Sequence, residues 1–401
     1  MIRELLLSIL ARMPFLAVAL ESVLCGTRLS AQEWKPRVVE HGQLTVIEGL
    51  PLALVSGTAE EIGTAEGKLF HDRVKPLLAL MGYQPRLLLA RHTAHFKATV
   101  AAIAADDVVR LSALGTAAQV APRTLIEANA LVDVQCSAVV REAHDAQPLR
   151  VARNMDFFPA KKLGPGTVME IVRTRGVRPY VAITWPGSAA VISGMNDAGV
   201  VACILLNHAG PRLPGAEPIG LRLAHILQHA DTLAMAVAEF AAVPVSSSHY
   251  VLFADPTTAT VVWQDGKGLQ RDDPVDGWLT ATNGQREAHQ PADVRGRCLQ
   301  THCRMHLRQQ PNQSPTVDAA WMRQVLTASY MPGINAQAMV FTPATRSLEL
   351  AVGTGLFPAA KATWWHVDLA QVFADGDLSK VTVSTMPASQ PLVHYTQDEG
   401  Y

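Results

Sequence analysis

The sequence has no excess of charge of either sign. Its 34 Lys and Arg residues stand against 35 Asp and Glu, a net charge of -1 over 401 residues. A nucleic-acid binder carries a basic excess or a basic block, and a polybasic membrane patch has the same need, so neither class is supported. Cysteine is scarce as well. Cys25, Cys136, Cys203, Cys298 and Cys303 are too few and too scattered for a disulfide framework. There is no Gly-x-Ser-x-Gly elbow, which removes the usual Ser-His-Asp hydrolase pattern. Neither a CxxC nor an HExxH motif is present, nor any internal repeat or low-complexity tract. Charged residues make up only 17% against 49% apolar, which excludes a mostly disordered chain and supplies material for a large core.

Long apolar runs are confined to the N-terminus. Leu5 to Leu20 is mostly apolar behind Arg3, and the pattern ends in Leu29-Ser30-Ala31 before polar Gln32-Glu33. That resembles a secretory signal peptide cut after Ala31, so export to the periplasm or medium is the expectation for residues 1–31. An uncleaved amphipathic helix or anchor is the alternative, with a cytoplasmic protein. Arg12, Pro14 and Glu21 interrupt the run and make a spanning helix a poor fit.

From Glu40 to about Val134 the pattern predicts a short strand at 43–48 and then helices at 59–71, 73–81, 92–106 and 122–131. Gly57 to Lys68 invites a phosphate-loop reading. It fails, because Ile62 stands where the first glycine belongs and Leu69 replaces the Ser or Thr. The stretch reads instead as a helix start whose small residues allow close packing. After Cys136 the texture changes to short Val- and Ile-rich runs bounded by Gly, Pro and Asn, at 167–174, 180–185, 189–193 and 199–206. Helices follow at 220–229 and 232–242. A hairpin is predicted at 250–254 and 260–264 around Asp255-Pro256-Thr257, then a strand at 279–282. Helices at 292–309 and 317–329 precede strands at 338–341 and 347–352. Strands, helices and strands again predict a layered α+β fold.

Cys136 sits where a helical region ends and a strand begins. Arg153 and Asp156 follow it by 17 and 20 positions. A turn near 145–148 would bring both back beside the cysteine on a second strand. A cysteine next to a guanidinium is held toward its reactive thiolate form. The bland alternatives are a buried small residue and a surface ion pair. Asn196, in Gly194-Met195-Asn196-Asp197-Ala198-Gly199, reads as a turn former. Asn207 ends an apolar strand, either as a cap or as an oxyanion donor. Asn283 ends another, in Thr282-Asn283-Gly284, and its amide donates without carrying charge.

In order and spacing these pieces resemble the acyl-coenzyme A:6-aminopenicillanate acyltransferase (isopenicillin N acyltransferase) family. Those are N-terminal nucleophile hydrolases related to penicillin V acylase and bile-salt hydrolase. The features that carry the resemblance are the helix at 60–67, Cys136 with Arg153-x-x-Asp156, the 194–199 turn, Thr282-Asn283, and the Ala338–Pro343 strand. They span residues 40–355. The resemblance implies a four-layer αββα sandwich. It also implies self-cleavage before Cys136, so that residues 32–135 become an α chain and 136–401 the catalytic β chain. Cys136 would be the nucleophile, its new α-amine the base, Asp156 the holder of that amine, and Arg153 a neighbour of thiolate and carbonyl. Asn283 and Asn207 would donate to the oxyanion. A later arginine falls on Arg295, with Arg297 close by, although the usual preceding serine is absent. The implied activity is hydrolysis of, or acyl transfer from, a linear amide such as an N-acyl amino acid, a penicillin-like amide or a peptide. It needs no cofactor or metal. The implied partners are that substrate and the chain's own cleaved N-terminal segment, with homo-oligomers left open. Gly284 departs from the His or Asn of many relatives, which bears on substrate choice.

Two rivals remain. Cys298, His302 and His306 fall on one face of a predicted helix beside Cys303, but one helix cannot close a zinc site. A binding protein on the same fold that never processes itself differs in one respect, whether Cys136 becomes N-terminal.

Overall fold

The computed structural model describes residues 33–80, 93–130, 135–144, 146–157, 160–207, 213, 215–246, 249–265, 268–283, 286–287, 290–291, 317–354 and 357–389. The described chain opens with strands β1 (Arg37–Val39), β2 (Gly42–Ile47) and β3 (Leu50–Gly57). Helices α1 (Ala59–Leu69), α2 (His71–Leu80), α3 (Ala94–Ala101), α4 (Ala105–Ala117) and α5 (Pro122–Asn129) come next. Then follow β4 (Gln135–Arg141), β5 (Arg150–Asp156), the short α6 (Ala160–Leu163), β6 (Val168–Thr174), β7 (Tyr180–Thr184), β8 (Ser193–Asn196) and β9 (Val201–Leu206). After α7 (Ile219–His229) and α8 (Leu233–Ala242) come β10 (His249–Ala254), β11 (Ala259–Asp265), β12 (Gly268–Asp272), β13 (Trp278–Thr282), β14 (Arg286–Glu287) and β15 (Gln290–Pro291). The described chain ends with α9 (Ala319–Ser329), β16 (Asn335–Thr342), β17 (Ser347–Val352), β18 (Trp364–Asp368), α10 (Ala370–Asp375) and β19 (Thr382–Met386).

The strands form two large sheets. The first runs β1-β2-β3-β6-β7-β8-β9-β10-β11-β12, and the second β13-β4-β5-β16-β17-β18-β19. Every neighbouring pair is antiparallel except the parallel β3–β6. Period-two alternation decides what each face buries. Met169, Ile171, Val181, Ile183, Cys203 and Leu205 of the first sheet join Cys136, Ala138, Val140, Met155, Met339 and Phe341 of the second in one core. The alternate residues Val168, Val172, Tyr180, Ala202 and Ile204 face the other way. They pack against Ile62, Val74, Leu125, Leu223, Leu227 and Phe240 from α1, α2, α5, α7 and α8. Behind the second sheet, Val139, Ala152, Val340 and Trp364 pack on Trp321, Met322 and Val325 of α9. Helix, sheet, sheet, helix is a four-layer αββα sandwich, as the family resemblance implied. No described helix is long and apolar enough to cross a membrane.

The strand expected at 43–48 is β2, but the segment before Cys136 is less helical than its pattern suggested, since β1 and β3 flank that strand. The segment thus supplies three strands to the edge of the first sheet. Leu50-Pro51-Leu52-Ala53 is a continuous apolar run without alternation, since all four residues are buried. Such a run shows no strand period. The strand expected at 189–193 is displaced to β8, because the Val191 amide donates to the Gly220 carbonyl rather than to a ladder. Helix α4 and the edge strands β18 and β19 had no clear pattern. The hairpin between β10 and β11 turns where expected, with the Asp255 carboxylate accepting from the Thr257 and Thr258 amides.

The rejected phosphate loop is a capped helix. Thr58 and Glu61 form a reciprocal capping box at the start of α1. A Cβ on Gly63 would stand 2.0 Å from the Arg110 carbonyl oxygen, and one on Gly67 2.5 Å from that of Leu114. Only glycine lets α1 and α4 approach this closely.

Candidate active site

Cys136 begins the inner run of β4, and its register settles its neighbours. Across β5 it pairs with Met155, while Ala138 pairs with Arg153. Directly opposed residues share a face, so Arg153 points with Cys136 into the space between the sheets. There the Arg153 Nη2 donates to Cys136 Sγ at 2.8 Å. On the other side of β4, Thr282 pairs with Ser137, which brings Asn283 level with Cys136. The Cys136 amide donates to Asn283 Oδ1 at 2.6 Å, and Asn283 Nδ2 donates to the Leu206 carbonyl at 2.8 Å. One partner only donates and the other only accepts, which fixes the orientation of the Asn283 amide. Its second N–H stays uncommitted among the described residues. The same bond ties the end of β13 to the end of β9, where half-buried Asn207 follows Leu206.

Arg153 is fully buried, and none of the groups that accept its hydrogen bonds is a carboxylate. Nη2 also donates to the Ile204 carbonyl at 2.6 Å, and Nη1 donates to Ser193 Oγ at 2.7 Å and to the Ile192 carbonyl. Burial works against its charge, but the thiols of Cys136 and Cys203 outweigh that and raise its pKa. Burial likewise pushes the Cys203 thiol up, with Arg153 drawing it partly back.

Asp156 lies one step along β5, opposite Gln135 and so beside the Gln135–Cys136 peptide. Alternation turns it to the face away from Cys136 Sγ. It is buried there, and its carboxylate accepts from Asn335 Nδ2 at 3.0 Å. The same Nδ2 reaches Asn154 Oδ1, and Asn335 Oδ1 accepts from the Ala360 amide. A register shift in β16 between Asn335 and Gln337 lies opposite this point. Bulges of this kind re-aim side chains at sites.

Of the six residues singled out in the sequence, Cys136, Arg153 and Asn283 meet in direct contact. Asn207 adjoins them through Leu206, and Asp156 flanks the peptide before Cys136. Arg295 lies outside the described residues, as do residues 1–31, Gly284, and the Cys298, Cys303, His302 and His306 group. Asn196 is a turn former as expected, since its Oδ1 accepts from Ala198 and Val200 and its Nδ2 donates to the Leu227 and Ala230 carbonyls. Sequence reasoning missed Ser193, Cys203 and Asn335. Each sits in an otherwise ordinary strand, and only the pairing between strands and sheets brings it to the site.

Among the described residues, one other cluster offers metal-type ligands: Asp107 on α4, Glu217, and His225 on α7. The two ring nitrogens of His225 face different carboxylates, Nε2 to Asp107 at 3.1 Å and Nδ1 to Glu217 at 2.9 Å. An imidazolium with a carboxylate at each nitrogen satisfies this geometry by itself. Burial opposes the charge, yet the two acids raise the His225 pKa to about 10.

No protein-family model matches the chain, and no curated protein matches it by sequence. Solved structures do. An N-acylethanolamine-hydrolyzing acid amidase ortholog from Caenorhabditis elegans is 17% identical, over 57% of this chain and 96% of that one, with a TM-score of 0.43. A conjugated bile acid hydrolase from Clostridium perfringens is 10% identical, over 65% and 100%, at 0.41. Penicillin V acylase from Agrobacterium tumefaciens is 15% identical, over 65% and 94%, also at 0.41. At these identities and scores the likenesses carry no argument about the site. The αββα architecture rests on the sheets and cores described above.

Proposed function

We propose that the chain is a self-processing cysteine N-terminal nucleophile enzyme, an amidohydrolase or acyltransferase acting on linear amides. The observation that carries this reading is the convergence on Cys136. A buried guanidinium with no carboxylate of its own touches the sulfur, and the Asn283 amide touches the nitrogen of the bond to be cut.

In processing, Cys136 Sγ attacks the Gln135 carbonyl and the acyl group passes from nitrogen to sulfur. That transfer breaks the carbon–nitrogen bond and frees the Cys136 α-amine, and water then hydrolyses the thioester, releasing the Gln135 carboxylate and restoring the Cys136 thiol. Such an amine has a pKa near 8, which suits a general base close to neutrality. In turnover the α-amine takes the thiol proton as the sulfur attacks the substrate carbonyl. It returns that proton to the leaving amine as the thioester acyl-enzyme forms. Water or an acceptor amine then takes the acyl group. The uncommitted N–H of Asn283 serves the oxyanion, and Asn207 provides the second donor position. Asp156 holds the new α-amine, an assignment supported by its place opposite Gln135. The segment 33–135 stays bound after cleavage, because β3 pairs with β6 and α1, α2 and α5 share a core with α7 and α8.

The test is turnover of a panel of N-acyl amino acids, penicillin-like amides and peptide amides, with trapping of the acyl-enzyme followed by mass. Wild type should release amine from at least one class and carry the acyl adduct on the fragment that begins at Cys136. Cys136→Ala should do neither. Turnover retained in that variant contradicts the proposal.

A further inference from the structure

Arg153 comes from the second sheet, but most of what holds it belongs to the first. Ser193 of β8 and Cys203 of β9 are directly opposed across their strand pair. They therefore share a face, and it is the face that meets Arg153. Both are fully buried. Ser193 Oγ and the Ile192 carbonyl take the two donors of Nη1, while Cys203 adjoins the guanidinium from the same strand pair. The Ile192 carbonyl also accepts from the Ile204 amide at 3.0 Å, so this receptor is stiffened by its own ladder. A guanidinium is planar with a rigid fork of donors. Once Nη1 is fixed on Ser193 and Ile192, the direction of Nη2 is fixed too, and Nη2 is divided between the Ile204 carbonyl and Cys136 Sγ.

We propose that Ser193 and Cys203 are positioning residues that seat Arg153 on the first sheet, aim Nη2 at the Cys136 sulfur, and leave the positive charge for that sulfur. This rests on Cys136 being the nucleophile. The chemistry of the pair is what the task needs. A carboxylate at either position would form a bidentate ion pair with Arg153 and take its charge. A hydroxyl and a protonated thiol orient the fork without neutralising it. The titratable groups that meet the guanidinium are Cys136 from β4 and Cys203 from β9. Asp156, on the same strand as Arg153, faces the opposite side of the sheet.

The experiment is an ultraviolet thiolate titration of the full chain, read as the difference between each protein and the same protein carrying Cys136→Ser, so that Cys203 cancels. Ser193→Ala should move the Cys136 midpoint up by about one pH unit. Ser193→Thr, which keeps the hydroxyl, should bring it back. Cys203→Asp should raise it by roughly 1–3 units, the scale of losing an adjacent opposite charge. A change that only loosened the fold would lower the melting temperature without shifting this midpoint. An unmoved midpoint in Ser193→Ala and Cys203→Asp, while Arg153→Met shifts it, overturns the proposal. If Ser193→Ala does not fold, Cys203→Asp decides alone, its raised midpoint supporting the proposal and an unmoved one overturning it. Intact mass of the same samples reports self-cleavage separately. Shifted midpoints in a chain that never cuts itself would keep the positioning role and reject the processing.

Discussion

Arg110 and Arg153 are both fully buried guanidinium groups, and their surroundings differ in one respect. Arg110, on α4, meets the Glu66 carboxylate through both Nε and Nη2, and donates to the Tyr180 hydroxyl at 3.2 Å. Glu170 lies 3.9 Å away, and burial followed by repulsion from Glu66 holds its carboxyl well above the usual range. The charge of Arg110 is thus answered inside the fold by the Glu66 carboxylate, with a second acid, Glu170, nearby. Arg153 has carbonyls, a hydroxyl and two thiols. A buried cation with its counterion built in is a structural tie. A buried cation without one is free to meet a negative charge that forms during chemistry, which under the proposed function is a thiolate or an oxyanion.

The largest expected effect separates the two arginines by stability. Arg110→Met strands Glu66 and should cost about 3–5 kcal/mol in urea unfolding, the usual cost of removing one member of a buried pair. Arg153→Met should stay within roughly 1 kcal/mol of wild type and lose activity instead, since it strands no charge. Equal destabilisation by both would break the comparison. Next is Asn283→Ala, which should lose about 10²–10³ in kcat with little change in KM, provided it donates to the oxyanion. A KM effect alone would make Asn283 a substrate-binding group. The last comparison concerns the His225 cluster, a second tie of the Arg110 kind. His225 keeps its proton in the folded protein up to about pH 10, whereas an unfolded histidine loses it near 6.5. Its contribution is therefore complete below pH 6.5 and is lost as pH rises through about 10, by at most about 1.4 kcal/mol per pH unit. Unfolding of wild type and His225→Gln between pH 6 and 10 checks this, and parallel curves would remove His225 from the account.

The tie and the reactive arginine differ in how visible they are in the sequence. Cys136, Arg153 and Asn283 were legible through the order and spacing of the motifs that carry the family resemblance, since each alone reads as a buried small residue, an ion-pair member or a turn residue. The hairpin joining β4 to β5 followed from the turn expected at 145–148 and the 17-residue spacing. Ser193 and Cys203 were not legible, since a serine before a glycine and a cysteine among Val, Ala and Ile are ordinary strand residues. Their role appears only when one sheet is laid on the other, a contact between residues 40 and 50 positions from Arg153. The Glu66–Arg110 and Asp107–His225 ties were hidden for the same reason, because long-range ion pairs leave no local period. Strand β3 was lost to its own burial, which removed the alternation that marks a half-exposed strand.

Asp107 of α4 pairs with His225, and Arg110 of α4 reaches Tyr180 and Glu170, so both clusters join α4, which precedes Cys136, to residues that follow it. They are where the two pieces of a cleaved chain would hold together. Whether that cleavage occurs separates an enzyme from a binding protein most directly. Intact mass of the purified full-length protein, with N-terminal sequencing, should give a fragment that begins Cys136-Ser137-Ala138, absent from Cys136→Ala. A single uncut chain in wild type, folded and stable, would contradict the proposed function and favour a binding protein built on the same sandwich.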